Sequence, residues 1–124
     1  MTLIERIEAA SATDHAELDA IDLAIAEWCY TGGAPGLVNY DPEMWLIRNG
    51  GWARSIDAAL GLAERVRPRW GAWSVGQNVH SGMWFAYALA PGEERAAYQL
   101  TSGTARHPAL ALVAAILRAM EGEG

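Results

Sequence analysis

Residues 83–90, Met83-Trp84-Phe85-Ala86-Tyr87-Ala88-Leu89-Ala90, are apolar at every position, and the architecture turns on that fact. The run is aromatic-rich, short, and bounded by Ser81-Gly82 and Pro91-Gly92, which reads as a β-strand. A strand with one wet face alternates apolar and polar residues. This one turns Met83, Phe85, Tyr87 and Leu89 to one side and Trp84, Ala86, Ala88 and Ala90 to the other, so both faces of its sheet are expected to be covered. Residues 70–79, with Trp73, Val75 and Val79 on one face, are expected to pair with it as an antiparallel hairpin around Val79-His80-Ser81-Gly82. A third strand is expected at 96–101, after the turn at Pro91-Gly92-Glu93-Glu94. Cover on both faces implies an α+β, three-layer alpha/beta/alpha sandwich with a small, mainly antiparallel sheet of about three strands.

The helices of those outer layers are legible on either side of the strands. Thr2 with Glu5 forms a capping-box signal for a helix to about Ala10, and Asp14 with Glu17 repeats it. From Asp14 to about Trp28, Leu18, Ile21, Ile25 and Trp28 recur at helical spacing, with Asp19 and Glu27 on the far side. Ser55 opens a third helix to about Arg65, with a stripe of Ile56, Ala59, Leu60 and Ala63. Pro108 stands in the first turn of a last helix reaching about Glu121, in which Arg118 is the only charge between His107 and Met120. So apolar a helix is either encased by its own domain or shared with a second copy, and core with a homodimer contact is the expectation. Between these helices, Thr31-Gly32-Gly33-Ala34-Pro35-Gly36 breaks regular structure, and 31–52 reads as a long irregular loop with one short turn near Asp41-Pro42-Glu43-Met44-Trp45.

The chain has 124 residues and a net charge of -6, which suits one domain, 1–124, with a hydrophobic core of its own. Cys29 is the sole cysteine, so no disulfide forms within the chain. No apolar run reaches the ~20 residues that span a bilayer, and no leader pattern opens the sequence, so a soluble, cytoplasmic protein is expected. All nine basic residues are arginine and alanine occurs 24 times, the coding bias of a GC-rich bacterial or phage genome. Seven acids (Glu5, Glu8, Asp14, Glu17, Asp19, Asp22, Glu27) against Arg6 place the whole net charge in residues 1–30. Such a surface repels phosphate backbones, so direct nucleic-acid binding is not expected.

Four segments carry a family resemblance: Leu3-Ile4-Glu5-Arg6-Ile7-Glu8-Ala9 with the acidic helix after it, Ser55-Ile56-Asp57-Ala58-Ala59-Leu60, the tryptophan-bearing strands, and His107-Pro108-Ala109-Leu110-Ala111-Leu112 leading to Leu117-Arg118-Ala119. In order and spacing, over roughly two-thirds of the chain, they resemble the phage alpha-beta-alpha sandwich domain family of small phage and prophage proteins. The family's tyrosine-threonine pair before the serine helix is replaced by Trp52-Ala53-Arg54, and residues 31–51 match nothing in it. The resemblance implies the sandwich fold and a mobile-element origin. It brings no catalytic residues.

The chemistry-bearing residues read as follows. His15, His80 and His107 are far apart and none is spaced with another ligand in a zinc pattern, so no metal or cofactor is expected. Cys29, between Trp28 and Tyr30, has the setting of a buried thiol. The acids sit on an amphipathic helix in water, where neither carboxyl of a pair is desolvated for acid and base work, so an enzyme is not expected. Clustered carboxylates can instead imitate a phosphate backbone on a basic partner surface. Trp45 and Trp52 lie in the loop, and burying one tryptophan is worth on the order of 5 kcal/mol, so they either fold back as a lid on the sheet or form a recognition patch. The expectation is thus a non-enzymatic accessory protein that inhibits or modulates a host protein, such as a CRISPR-Cas component, through Asp19, Asp22, Glu27, Trp45 and Trp52. Two alternatives stand beside it. One is sequestration of a nucleotide signal by Arg65, Arg67, Arg69 and Trp70, the arginines being about 6.6 Å apart on one face if extended. The other is a virion structural or packaging accessory.

Overall fold

The structure of the protein is a computed structural model and describes residues 2–34, 36–66, 72–89 and 103–123. Among the described residues, five α-helices and three strands occur in the order α1 (Leu3–Ala9), α2 (His15–Trp28), α3 (Pro42–Asn49), α4 (Ile56–Val66), β1 (Ala72–Gln77), β2 (Trp84–Leu89), β3 (Gly103–Ala105) and α5 (Pro108–Glu123). The class is α+β with a three-stranded antiparallel sheet ordered β1-β2-β3, as the apolar run and its turn signals predict. The strand expected at 96–101 lies outside the described residues.

Local chemistry explains where each helix starts. Thr2 Oγ1 accepts the Glu5 N–H while Glu5 Oε1 accepts the Thr2 N–H, both at 3.2 Å, completing the capping box. Asp14 caps α2 through the Glu17 N–H at 3.1 Å, and Ser55 caps α4 through that of Ala58 at 3.1 Å. His107 does the same for α5: its Nδ1 accepts the Ala109 N–H at 3.1 Å. Past Trp28 the chain makes one wider turn, Cys29–Gly33, closed by the Ala34 N–H on the Cys29 carbonyl and released by Gly32 at φ 125°.

The hairpin register pairs Gln77 with Trp84, Val75 with Ala86 and Trp73 with Ala88, and β3 adds Ala105 opposite Trp84 and Gly103 opposite Ala86. Strand residues two apart share a face, so Trp73, Val75, Trp84, Ala86, Gly103 and Ala105 face one way. That is the face α5 covers. A side chain at Gly103 would meet the backbone of Ala111 and Ala115, so β3 and α5 touch with no room between them. On the other face Phe85 lies over Gly76 and remains 38% exposed. Val79, grouped with Trp73 and Val75 in the sequence reading, instead lies in the turn and is 85% exposed, because β1 ends at Gln77 and Asn78 turns the chain by accepting the His80 and Ser81 N–H groups.

With β1, β2 and β3 on one side, α5 meets α1 and α4 on the other. Its residues 109–116 are fully buried, so the apolar surface that suggested a homodimer contact is covered within one chain. Leu18, Ile21 and Ile25 of α2 and Leu62 of α4 complete the core. The expected stripe of α4 is rotated: Leu62 and Val66 point inward with Ala59 and Ala63, while Ile56 is exposed.

The loop expected over 31–52 is the main correction. Residues 42–49 form α3, with Asp41 accepting the Glu43 N–H at 3.0 Å and Pro42 in the first turn. The helix packs on α2 rather than on the sheet. Gly50, at φ 75°, ends it with its N–H on the Leu46 carbonyl at 2.8 Å.

Candidate functional site

The acidic segment has few free charges left once folded. Glu5 is held in its capping box and Asp14 caps α2. Glu17 lies 3.6 Å from Arg6, and Glu8 takes a two-pronged contact from Arg118 at 2.6 and 2.7 Å. Burial raises the Glu8 pKa, but the Arg118 hydrogen bonds and charge, together with the Thr104 N–H at 3.1 Å and its hydroxyl, outweigh that and hold it below the ordinary glutamate range. Asp19 pairs with Arg54 at 3.0 Å, and Arg54 also donates to the His15 carbonyl at 3.0 Å and lies 3.3 Å from its ring nitrogen. Of the expected contact residues only Glu27 is both exposed and without a side-chain partner among the described residues.

Asp22 and Trp52 correct the expected contact surface. Asp22 is 5% exposed and accepts the N–H groups of Trp52 at 2.8 Å and Ala53 at 2.9 Å, both on Oδ1. Helical spacing from Leu18 and Ile25 puts position 22 on the inward face beside Ile21, and the turn before α4 supplies the donors a buried carboxylate requires. Trp52 is 4% exposed and stacks on Trp45 with centroids 5.2 Å apart and planes 13° from parallel. The pair therefore folds back as a lid, but over α2 and α4.

What α3 leaves outside is mixed, with Glu43, Arg48 and Asn49 beside two large apolar side chains. Trp45 and Leu46 are the residues that anchor it to the core, and Met44 and Ile47, one turn apart, are 47% and 79% exposed. Glu43 and Asp41 add exposed negative charge at its start, and Arg48 lies over the Tyr40 ring. Between α3 and α2 runs a groove of about 300 Å³ lined by Asp19, Asp22, Leu46, Ile47, Gly50 and Arg54. The sequence signal for this surface was present in Asp41-Pro42 and in the Met44/Ile47 spacing, but the flanking glycines hid it.

The remaining candidates have structural roles or lie elsewhere. Burial pushes the Cys29 thiol up to about 12, so it stays protonated. Burial lowers the His107 pKa, in keeping with a neutral ring whose Nδ1 caps α5. The Arg65 guanidinium lies against the turn at Gly36. Arg67, Arg69 and Trp70 are outside the described residues. Among the described residues no three histidine, cysteine or carboxylate groups cluster to hold a metal, and no helix is long and apolar enough to cross a membrane.

Comparison with protein-family models, curated proteins and solved structures returned no match.

Proposed function

We propose that the chain is a non-enzymatic accessory protein of phage or prophage origin that binds a bacterial host protein and inhibits or modulates it by occlusion, the antiviral-defence machinery such as CRISPR-Cas being the target class. The observation that carries this reading is the outward face of α3. An eight-residue helix held down by Trp45 and Leu46 presents Ile47 and Met44 to solvent one turn apart, where the two side chains adjoin as a small apolar patch suited to contact with a partner. The partner it fits has a basic surface with an apolar patch. Glu43, Asp41 and Glu27 are exposed acids on α3, its cap and α2, and the net charge of -6 favours encounter with positive surfaces over nucleic acid. The composition and the family resemblance support the mobile-element origin.

Passing a bacterial lysate over the immobilised protein at low and high ionic strength tests this. The expected result is one stoichiometric protein, retained at low salt and released progressively as salt rises. Retention of a small ligand alone, or of nucleic acid alone, contradicts the reading.

A further inference from the structure

A second cleft, of about 280 Å³, lies where the turn after α3 meets α4. Trp45, Asn49, Gly50, Trp52, Gly61 and Leu62 are among the residues that line it, and none of its lining residues carries a charge. Its aromatic surface is the tryptophan pair, in which half-buried Trp45 stacks on Trp52 with ring centroids 5.2 Å apart.

Two features of this cleft are not explained by packing. Gly61 stands in the interior of α4, where every residue except proline favours helix more than glycine does. A side chain there would meet nothing within 4 Å, so close approach does not account for the glycine as it does at Gly51, where an added carbon would strike the Asp22 carboxylate. The effect of Gly61 is to leave the α4 wall of the cleft open. The other feature is the Trp52 indole. The residue is 4% exposed, yet its Nε1–H has no acceptor among the described residues, although a buried indole N–H ordinarily finds one. Asn49 is the complementary case: its amide nitrogen donates to the Trp45 carbonyl at 2.9 Å, while its Oδ1 accepts nothing from the described residues. The lining thus supplies a stacking surface, a donor and an acceptor, without charge.

We propose that this cleft binds a neutral purine of the adenine type, as free base or nucleoside. The ring lies against the tryptophan pair, a ring nitrogen accepts the Trp52 N–H, and the exocyclic amino group donates to Asn49 Oδ1. Stacking on an aromatic side chain holds any base by its π face, and the neighbouring acceptor and donor of an adenine edge distinguish it from a purely apolar ring. A phosphate finds no cation in the lining and meets a net charge of -6, so the nucleotide is the poorer ligand. Met44 and Ile47 do not line the cleft, and the proposal does not depend on the partner-binding reading above.

The test is a titration of the isotope-labelled protein with adenosine, read by NMR at the tryptophan indole N–H signals. Saturable shifts of Trp45 and Trp52 are expected, with Trp73 and Trp84 on the sheet unmoved, and adenosine monophosphate should bind at least about fivefold more weakly. Gly61→Leu puts a helix-favouring side chain into empty space, so it should unfold at a temperature no lower than wild type and bind adenosine at least about tenfold more weakly. Asn49→Ala, at an exposed position, removes the acceptor and should weaken binding about fivefold. The absence of a saturable shift, equal shifts of all the indole signals, or a monophosphate that binds as tightly as adenosine overturns the proposal. So does wild-type affinity in either variant.

Discussion

Two carboxylates of the N-terminal segment join parts of the chain that are far apart in sequence. Asp22 holds the turn before α4, 30 and 31 residues away, and Glu8 holds β3 and α5, 96 and 110 residues away. Asp22→Ala would orphan the N–H groups of Trp52 and Ala53 and should cost about 2–4 kcal/mol in urea unfolding. Asp22→Asn keeps an acceptor oxygen and should cost less than half of that; equal losses would mean that the two bonds are not what matters. Glu8 has the opposite pH signature to Asp22. Its folded pKa is below the unfolded value, so its contribution is complete above about pH 4.3 and is lost as pH falls through the folded pKa. Asp22, with a raised folded pKa, loses stabilising influence as pH rises through that value. Glu8→Gln should therefore flatten the acid limb of the stability curve, with wild type and variant converging at the acid end. Neither role was readable from sequence, where Glu8 and Asp22 look like ordinary members of a solvated acidic segment. Helical phase alone distinguishes position 22, and the Glu8 partners come from elements that only the fold brings near.

At the scale of elements, the starts were legible because capping is local. Thr2, Asp14, Ser55 and His107-Pro108 each sit where a helix begins. α3 was legible only in its start, Asp41 as cap and Pro42 in the first turn, and not in its length: glycines on both sides argued for loop, and the tertiary anchor, Trp45 on Trp52, depends on a contact across the following turn. The faces of the strands were read in the right alternation, yet which face α5 would cover rested on Gly103, a residue that looks like a turn signal in isolation. Gly103→Ala would place a methyl carbon 2.5 Å from the Ala111 carbonyl oxygen and 2.6 Å from the Ala115 nitrogen. Backbone cannot yield as a flexible side chain does, so a loss of about 1–3 kcal/mol is expected in thermal or chemical unfolding. Leu112→Ala, in the fully buried part of α5, should cost about 2–5 kcal/mol by cavity formation. A loss under about 1 kcal/mol at Leu112 would contradict the placement of α5 at the centre of the core.

For the whole molecule, charge and size pointed to a binder, and folding changes where the binding surface lies. The acidic helix face expected to make the contact is largely occupied by caps and ion pairs, with Asp22 inside. The surface that remains is α3, and its exposed Ile47 and Met44 add nothing to the core. Replacing both with serine should leave the unfolding midpoint of the isolated protein within about 0.5 kcal/mol of wild type, since neither side chain is buried. The decisive measurement is side-by-side capture from bacterial lysate with the wild-type chain and the Met44→Ser/Ile47→Ser variant, matched for folded concentration. The account predicts a stoichiometric partner protein on the wild type that is absent from the variant. Retention of that partner in equal yield by both chains would contradict it.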